Sequence, residues 1–121
     1  MMSHTLTRAD LAQFTGSEHW YRHPLNRRML FTDGAKHVAD AGSAYWLLDE
    51  IALAQVHVPA VRGEGFQLWR LTVRPDRSAV LDCGDGNGNS VYSKAIGFTD
   101  FPLVAIELYV TDSTVLLPSE Y

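Results

Sequence analysis

The spacing of apolar residues changes near the middle of the chain. Before Pro59 they recur every three or four residues, as in helices, and after it they alternate with polar residues, as in strands. The strongest helical signal covers residues 44–55, where a wide apolar stripe faces away from Asp49 and Glu50. A helix this apolar is expected in the core, with a sheet built from the residues that follow it.

Two shorter helices are predicted upstream. Thr7-Arg8-Ala9-Asp10 has the form of a capping box and predicts a helix over about residues 7–14. Thr32-Asp33-Gly34 can cap a second helix, which Gly42 ends. For residues 33–41 the alternative is a hairpin that turns at Asp33-Gly34, and the helix is preferred.

The segment between these two helices is rich in polar and aromatic residues. Pro24 forbids a helix through it and pushes His23 toward an extended conformation. Residues 17–27 are therefore expected to be a loop or an irregular extended segment, and a short strand is expected over residues 28–31.

Alternating segments separated by short turns fill the second half of the chain. The predicted strands are residues 66–74, 79–83, 91–98, 103–110 and 114–117. Their regular spacing is typical of an antiparallel meander, in which each strand pairs with the next. The sequence therefore predicts a single α+β domain over residues 1–121, with N-terminal helices packed on one face of a four- to five-stranded antiparallel sheet.

The charge is unevenly distributed. The chain has 121 residues and a net charge of −4, with its basic residues concentrated before Lys94 and only acidic residues after it. A negative net charge argues against a general nucleic-acid-binding protein. No apolar stretch resembles a secretory signal or a membrane helix, so a cytoplasmic location without membrane contact is expected.

Candidate chemical sites are weak. The loop at residues 84–90 resembles a calcium loop, but Ile96 stands where an EF-hand has its bidentate glutamate. The single cysteine, Cys83, lies beside Asp82, which raises the pKa of a thiol rather than activating it. No metal, cofactor or catalytic residue is predicted, and the sequence has no positive sign of an enzyme.

The histidines add little. His19 and His23 are four residues apart, but Pro24 rules out a helical pair of metal ligands. The weakest of the hypotheses is a small enzyme or metal-binding protein that uses His19, His23 and Asp33.

The best candidate for a binding surface is the segment before the second helix. Its aromatic and basic residues are Trp20, Tyr21, Arg22, Arg27 and Arg28. Trp, Tyr and Arg are enriched at the energetic centres of protein–protein interfaces, and the same residues can stack on bases and bind phosphates. Because the net charge is negative and the basic group is small, a structural role is preferred to nucleic-acid binding: both aromatic side chains then pack within the fold, and the arginines pair with the acidic C-terminal strands.

A second, acidic face is predicted near the C-terminus. Its residues are Asp100, Glu107, Asp112 and Glu120. Carboxylates grouped on one surface would mimic the charge of phosphates and suit a basic partner.

Seven motifs together give the chain a resemblance to a protein family. They are D-L-A-Q-F-T-G (10–16), H-W-Y-R-H (19–23), T-D-G (32–34), A-Y-W-L-L-D-E-I-A (44–52), D-G-N-G-N (85–89), F-T-D-F-P-L (98–103) and L-L-P-S-E-Y (116–121). The chain resembles a family of small uncharacterised bacterial proteins that are often carried on plasmids, prophages and integrative elements. The resemblance implies no activity, but it implies a setting in which small acidic proteins inhibit host defence, as anti-CRISPR proteins do.

These observations favour a non-enzymatic binding protein of mobile-element origin. Its expected action is to inhibit host defence by occupying the surface of a host protein or protein complex. The alternative is an accessory protein that binds nucleic acid.

Overall fold

The structure is a computed structural model that describes residues 6–16 and 18–121. Its helices are α1 (Arg8–Leu11), α2 (Asp33–Ala41), α3 (Tyr45–His57) and α4 (Pro59–Arg62). Its strands are β1 (Trp20–Arg22), β2 (Leu30–Thr32), β3 (Phe66–Val73), β4 (Ala79–Gly84), β5 (Ser90–Ile96), β6 (Ala105–Thr111) and β7 (Thr114–Leu116). A 3₁₀ turn, Pro118–Glu120, follows the last strand.

The seven strands of the described residues form one mixed sheet in the order β1-β2-β7-β6-β3-β4-β5. β2 and β7 are parallel, and all other neighbours are antiparallel. The predicted four- to five-stranded antiparallel meander is therefore wrong, although the chain does combine helices and a sheet. β6 pairs with β3 and not with β5, the strand that precedes it.

The connection between β5 and β6 explains this difference. Residues 97–104 cross the end of the sheet instead of forming a hairpin, and the turn between β3 and β4 holds them there. Arg77 in that turn donates to the carbonyls of Thr99 and Phe101, at 3.0 and 2.8 Å. Phe101 is fully buried, so the connection is part of the core. Periodicity along the chain predicts a strand but does not predict which strand will be its neighbour.

Two strands in the first third of the chain extend the sheet beyond β7. β1 lies within residues 17–27, which are predicted to be a loop or an irregular extended segment, and Ser17 lies outside the described residues. β2 covers Leu30–Thr32, close to the strand predicted over residues 28–31. Each has three residues, which is too short for an alternating pattern to be recognised.

The two capping signals are both confirmed. Thr7 Oγ1 accepts from Asp10 N–H at 3.2 Å, and the Asp10 carboxylate accepts from Thr7 N–H at 3.0 Å, although α1 is shorter than predicted. Thr32 Oγ1 accepts from Ala35 N–H at 3.2 Å and begins α2. Residues 33–41 are therefore helical, and the hairpin alternative is wrong.

Burial alternates along the long strands and gives the sheet two faces. The inner face packs against α3, which confirms the prediction of a core helix. This face includes Trp69, Leu71 and Leu108, each 1 % exposed. We call the opposite face the outer face; Arg70 and Glu107 lie on it and form an ion pair. The outer face is the side of the sheet that α2, α3 and α4 leave uncovered.

Glu120 connects the 3₁₀ turn after β7 to the start of α2. Its carboxylate accepts from the Thr32 hydroxyl at 2.7 Å, from Gly34 N–H at 3.1 Å and from Leu117 N–H at 2.9 Å. The first turn of α2 favours an anion because its N–H groups have no partner within the helix. A Cβ on residue 34 would overlap the Glu120 carboxylate, so the contact requires glycine there.

Replacing Glu120 tests the strength of this connection. Glu120→Ala is expected to lower the free energy of unfolding by about 1–3 kcal/mol, because three donors lose their acceptor. Chemical denaturation followed by circular dichroism measures the change. Asp100→Ala removes an exposed loop carboxylate and is the matched control, with an expected change within about 0.5 kcal/mol. Equal losses in the two variants would contradict the role of Glu120.

Candidate functional site

Strand alternation separates the two aromatic residues of β1. Tyr21 lies opposite Phe31 in the ladder, and their rings stack with centroids 5.5 Å apart on the inner side of the sheet. Trp20 and Arg22 therefore point to the outer face, because successive side chains of a strand lie on opposite sides. Trp20 is 57 % exposed. The prediction that both aromatics pack within the fold thus fits the position of Tyr21 and not that of Trp20.

The loop after β1 is fixed by a buried histidine. His23 is 3 % exposed, and its Nε2 lies 2.8 Å from Asp49 Oδ1 on α3. Its Nδ1 accepts from Leu25 N–H and Asn26 N–H, each at 3.1 Å. Nδ1 is therefore the unprotonated nitrogen, and Nε2–H donates to Asp49. With both ring nitrogens occupied, this His–Asp pair anchors the loop and has no nitrogen left for proton transfer or metal binding.

The three arginines of the predicted binding surface are exposed. The Arg22 guanidinium donates to the Arg27 carbonyl, which links β1 to the following loop. Within the described part of the chain, neither these two residues nor Arg28 forms an ion pair with a carboxylate. Arg28 instead lines a cleft of about 520 Å³ that Asp112 also lines. The structure therefore brings one predicted basic residue and one predicted acidic residue to the same cleft.

The four predicted acidic residues do not form one surface. Glu107 is paired with Arg70 on the outer face, and Glu120 is bound at the start of α2. Asp100 precedes β6 and Asp112 follows it, so these two lie at opposite ends of a seven-residue strand, roughly 20 Å apart along its length. No shared acidic patch results, and each carboxylate has its own surroundings.

A polar cluster that the sequence reasoning missed joins β1 to α2. The Tyr21 hydroxyl donates to Asp33 Oδ1 at 3.0 Å, and Lys36 donates to Asp40 Oδ2 at 2.6 Å while its Nζ lies 5.6 Å from the centre of the Tyr21 ring. The Tyr45 hydroxyl donates to Asp40 as well. The available signal was the four-residue spacing of Lys36 and Asp40 on a predicted helix.

The electrostatics of this cluster favour the charged forms of its acids. Burial acts to raise the pKa of Asp33, but hydrogen bonds from the Tyr21 hydroxyl and from the N–H groups of His19 and Glu18 outweigh it and lower that pKa. The bond to Asp40 raises the pKa of Lys36. The cluster lines a cleft of about 720 Å³, but its groups bind one another. Its contacts hold β1 against α2.

The hypothesis of a metal site on His19, His23 and Asp33 is only partly matched by the geometry. His19 Nδ1 lies 3.6 Å from Asp33 Oδ2, whereas His23 turns to α3. In residues 6–16 and 18–121, no group of three His, Cys, Asp or Glu side chains could hold a metal ion. In the loop at residues 84–90, which resembles a calcium loop, the Asp85 carboxylate is also occupied. It accepts from Asn87 N–H and from the Asn89 side chain within the same loop.

Two further observations concern reactivity and membranes. Cys83 is fully buried, and this burial, together with the nearby charge of Asp82, raises the pKa of its thiol to about 12. An unreactive thiol is therefore expected at neutral pH. Among the described residues, no helix is both long and apolar enough to cross a bilayer.

Removing the Tyr21 hydroxyl tests the contact between β1 and α2. Tyr21→Phe is expected to lower the melting temperature by a few degrees at neutral pH, because Asp33 loses a donor. The folded state lowers the pKa of Asp33, so its stabilising effect is present above the ordinary value of 3.8 and is lost as the pH falls through the folded pKa. The difference between wild type and variant should therefore shrink in acid.

The control for this experiment is another tyrosine. Tyr92 packs edge-on against Trp69, and Tyr92→Phe removes a hydroxyl without a hydrogen bond to the described residues. Its melting temperature should follow that of the wild type at every pH. A Tyr21→Phe difference that is as large in acid, where Asp33 is protonated, as at neutral pH would contradict the link to Asp33.

Comparison with known proteins places the chain in a family. A family model described as "Family of unknown function (DUF6876)" matches residues 5–121. No curated protein and no solved structure matches the chain. The match confirms the expected resemblance to uncharacterised proteins, and it contains nothing about a bacterial source or mobile elements. The chain therefore belongs to this family of unknown function, DUF6876.

Proposed function

We propose that this protein acts by binding another protein, with its contact centred on the outer face at β1. The observation that carries the proposal is the position of Trp20, which is 57 % exposed and lies on the same side of β1 as Arg22. The other side of β1 is bonded to α2 through Tyr21 and Asp33. A large, rigid aromatic next to an arginine is typical of residues that dominate binding energy.

The surface around Trp20 is held in place before any partner arrives. Tyr21 is bonded to Asp33 on the inner side, and His23 anchors the following loop to α3. Arg22 bonds to the Arg27 carbonyl and so connects strand and loop. A contact surface that is already ordered loses less conformational entropy on binding, which favours affinity.

A protein partner suits this surface better than nucleic acid. Stacking of successive bases requires aromatic side chains on one side of a strand. Trp20 and Tyr21 lie on opposite sides of β1, so of these two residues Trp20 alone can offer its ring to a ligand on the outer face. The negative net charge also opposes a phosphate backbone over most of the molecule.

Occupation of a partner surface is also the mode of action of an inhibitor. A small protein of negative net charge would inhibit a host defence complex by covering one of its surfaces. Mobile-element origin and anti-CRISPR-like inhibition are the specific form of this proposal, and nucleic-acid binding through Arg22, Arg27 and Arg28 is its alternative.

Affinity capture tests the proposal. The tagged full-length chain is incubated with a bacterial lysate, with and without nuclease, and retained proteins are identified by mass spectrometry. The expected result is one protein or complex that is retained after nuclease treatment and whose capture is lost with Trp20→Ala and with the Arg22→Glu/Arg27→Glu double variant. Capture that disappears with nuclease would overturn the proposal and favour nucleic acid.

The magnitude is measured with the captured partner once it is purified. Trp20→Ala is expected to weaken binding roughly 30-fold, since a hot-spot side chain contributes about 2 kcal/mol or more. Phe98→Ala is the matched control, because Phe98 is a 72 % exposed aromatic in a loop at the other edge of the sheet. Equal affinities of the Trp20→Ala variant and the wild type, both folded, would contradict the proposed contact.

A further inference from the structure

Strand β6 is paired along only half of one edge. On one side β3 pairs with it from Ala105 to Thr111, whereas on the other side β7 pairs only from Tyr109 to Thr111. β7 ends at Leu116, opposite Tyr109, and the chain then enters the 3₁₀ turn. In the described part of the chain, residues 105–108 therefore have no strand beside them on that side.

The direction of the main-chain groups on this edge follows from three observations. Val73 N–H donates to the Val104 carbonyl at 2.8 Å, so the main-chain carbonyl of Val104 points to β3. The next carbonyl, of Ala105, faces the other way and accepts from Arg8 Nη2 at 2.7 Å. Because the main-chain groups of successive strand residues point to opposite edges, those of Glu107 point away from β3 as well.

The turn between β6 and β7 gives the same result independently. Asp112 and Ser113 both have positive φ, 50° and 56°, as a two-residue type I′ hairpin requires. Such a turn makes its flanking residues, Thr111 and Thr114, a hydrogen-bonded pair. Tyr109 and Leu116 are then the next hydrogen-bonded pair. Glu107 lies two residues further along β6, so its N–H and C=O point to the same side, beyond the end of β7.

A groove runs along this unpaired edge. It has a volume of about 580 Å³, and α1 forms one wall while the 3₁₀ turn forms the other. Leu11 and Leu117 supply apolar surface, and the charged residues are Arg8, Arg70 and Glu107. Arg70 and Glu107 neutralise each other, so the exposed Arg8 leaves the groove with a net positive charge.

We propose that this groove binds an extended, acidic peptide segment of a partner protein, which adds to β6 as a short strand beside Glu107. The main chain of the peptide would exchange hydrogen bonds with the Glu107 N–H and C=O, as in strand addition to an open sheet edge. Alternate side chains would face the apolar wall at Pro118 and the cationic wall at Arg8, which gives the preference for an apolar residue flanked by acidic ones.

The shape of the groove favours a free segment over the edge of another folded sheet. The unpaired edge is four residues long, about 13 Å, and walls stand on both sides of it. Every strand that the described residues of a second copy could bring is already part of a sheet, and its neighbouring strands would meet these walls. The site is also separate from Trp20, so the two contacts can be tested separately.

A proline at residue 107 tests the proposal directly. Glu107→Pro removes an N–H that points into the groove and leaves the hydrogen bonds to β3 in place, since proline is tolerated where the N–H faces away from the sheet. Glu107→Ala is the matched control, because it loses the ion pair with Arg70 and keeps the N–H. Circular dichroism and thermal melting establish that both variants fold.

The probe is a displayed library of short random linear peptides, selected on the full-length chain. The selected peptides are expected to be acidic with alternating apolar residues, to lose about tenfold in affinity with Arg8→Glu, and to bind the Glu107→Pro variant about tenfold more weakly than the Glu107→Ala variant. N-methylation along a selected peptide should weaken binding at the one residue whose N–H donates to the Glu107 carbonyl and not at its two neighbours, which distinguishes strand pairing from other groove binding and does not depend on the folding of a variant.

Three results would overturn the proposal. The first is a selection that yields no peptide sensitive to Arg8→Glu or Glu107→Pro. The second is an N-methyl scan without a single sensitive residue between two insensitive neighbours. The third is self-association of the wild-type chain in sedimentation experiments that Glu107→Pro abolishes, because the occupant of the edge would then be a second copy.

Discussion

The fold depends on one carboxylate that holds together segments from the two halves of the chain. β2 runs directly into α2, and β7 runs directly into the 3₁₀ turn, so the two parallel strands end at the same place. The Glu120 carboxylate accepts hydrogen bonds there from the hydroxyl of Thr32 and the N–H of Gly34. It also accepts from Leu117 N–H at the start of its own turn. A parallel pair this short provides few hydrogen bonds of its own, and β1 pairs only with β2. The position of β1 therefore depends on this contact.

Buried polar groups fix the remaining loops in the same manner. Gln67 is 2 % exposed, yet its amide is fully occupied by Gln55, by Trp69 Nε1 and by main-chain carbonyls near α4. His23 anchors the loop after β1 to α3 through Asp49. A buried amide or imidazole without partners would be costly, so each of these groups specifies one arrangement of the segments around it. The surface at Trp20 is thus supported by contacts on the opposite side of the sheet.

The sequence predicts local structure well where a single segment contains the whole signal. The caps at Thr7 and Thr32 need only three following residues, and α3 carries its own apolar stripe, so these elements are found as predicted. The order of strands depends on contacts between distant segments, such as Arg77 with Phe101, and no spacing along the chain reveals them. The same limit applies to the site. Exposure of Trp20 and burial of Tyr21 follow from the register with β2, and the unpaired half of β6 follows from the point at which β7 ends.

The pairing of Leu30 with Thr114 also sets the order in which the molecule gains and loses structure. β3, β4 and β5 are joined by short turns and can form early, whereas β2 must find a strand near the opposite end of the chain, which is slow because of the large loop it closes. Contacts of this kind tend to open at lower free energy than a central ladder. Amide hydrogens of β1 and β2 should therefore exchange with solvent faster than those of β3, and proteases should reach the Trp20 segment while the rest of the sheet is still intact.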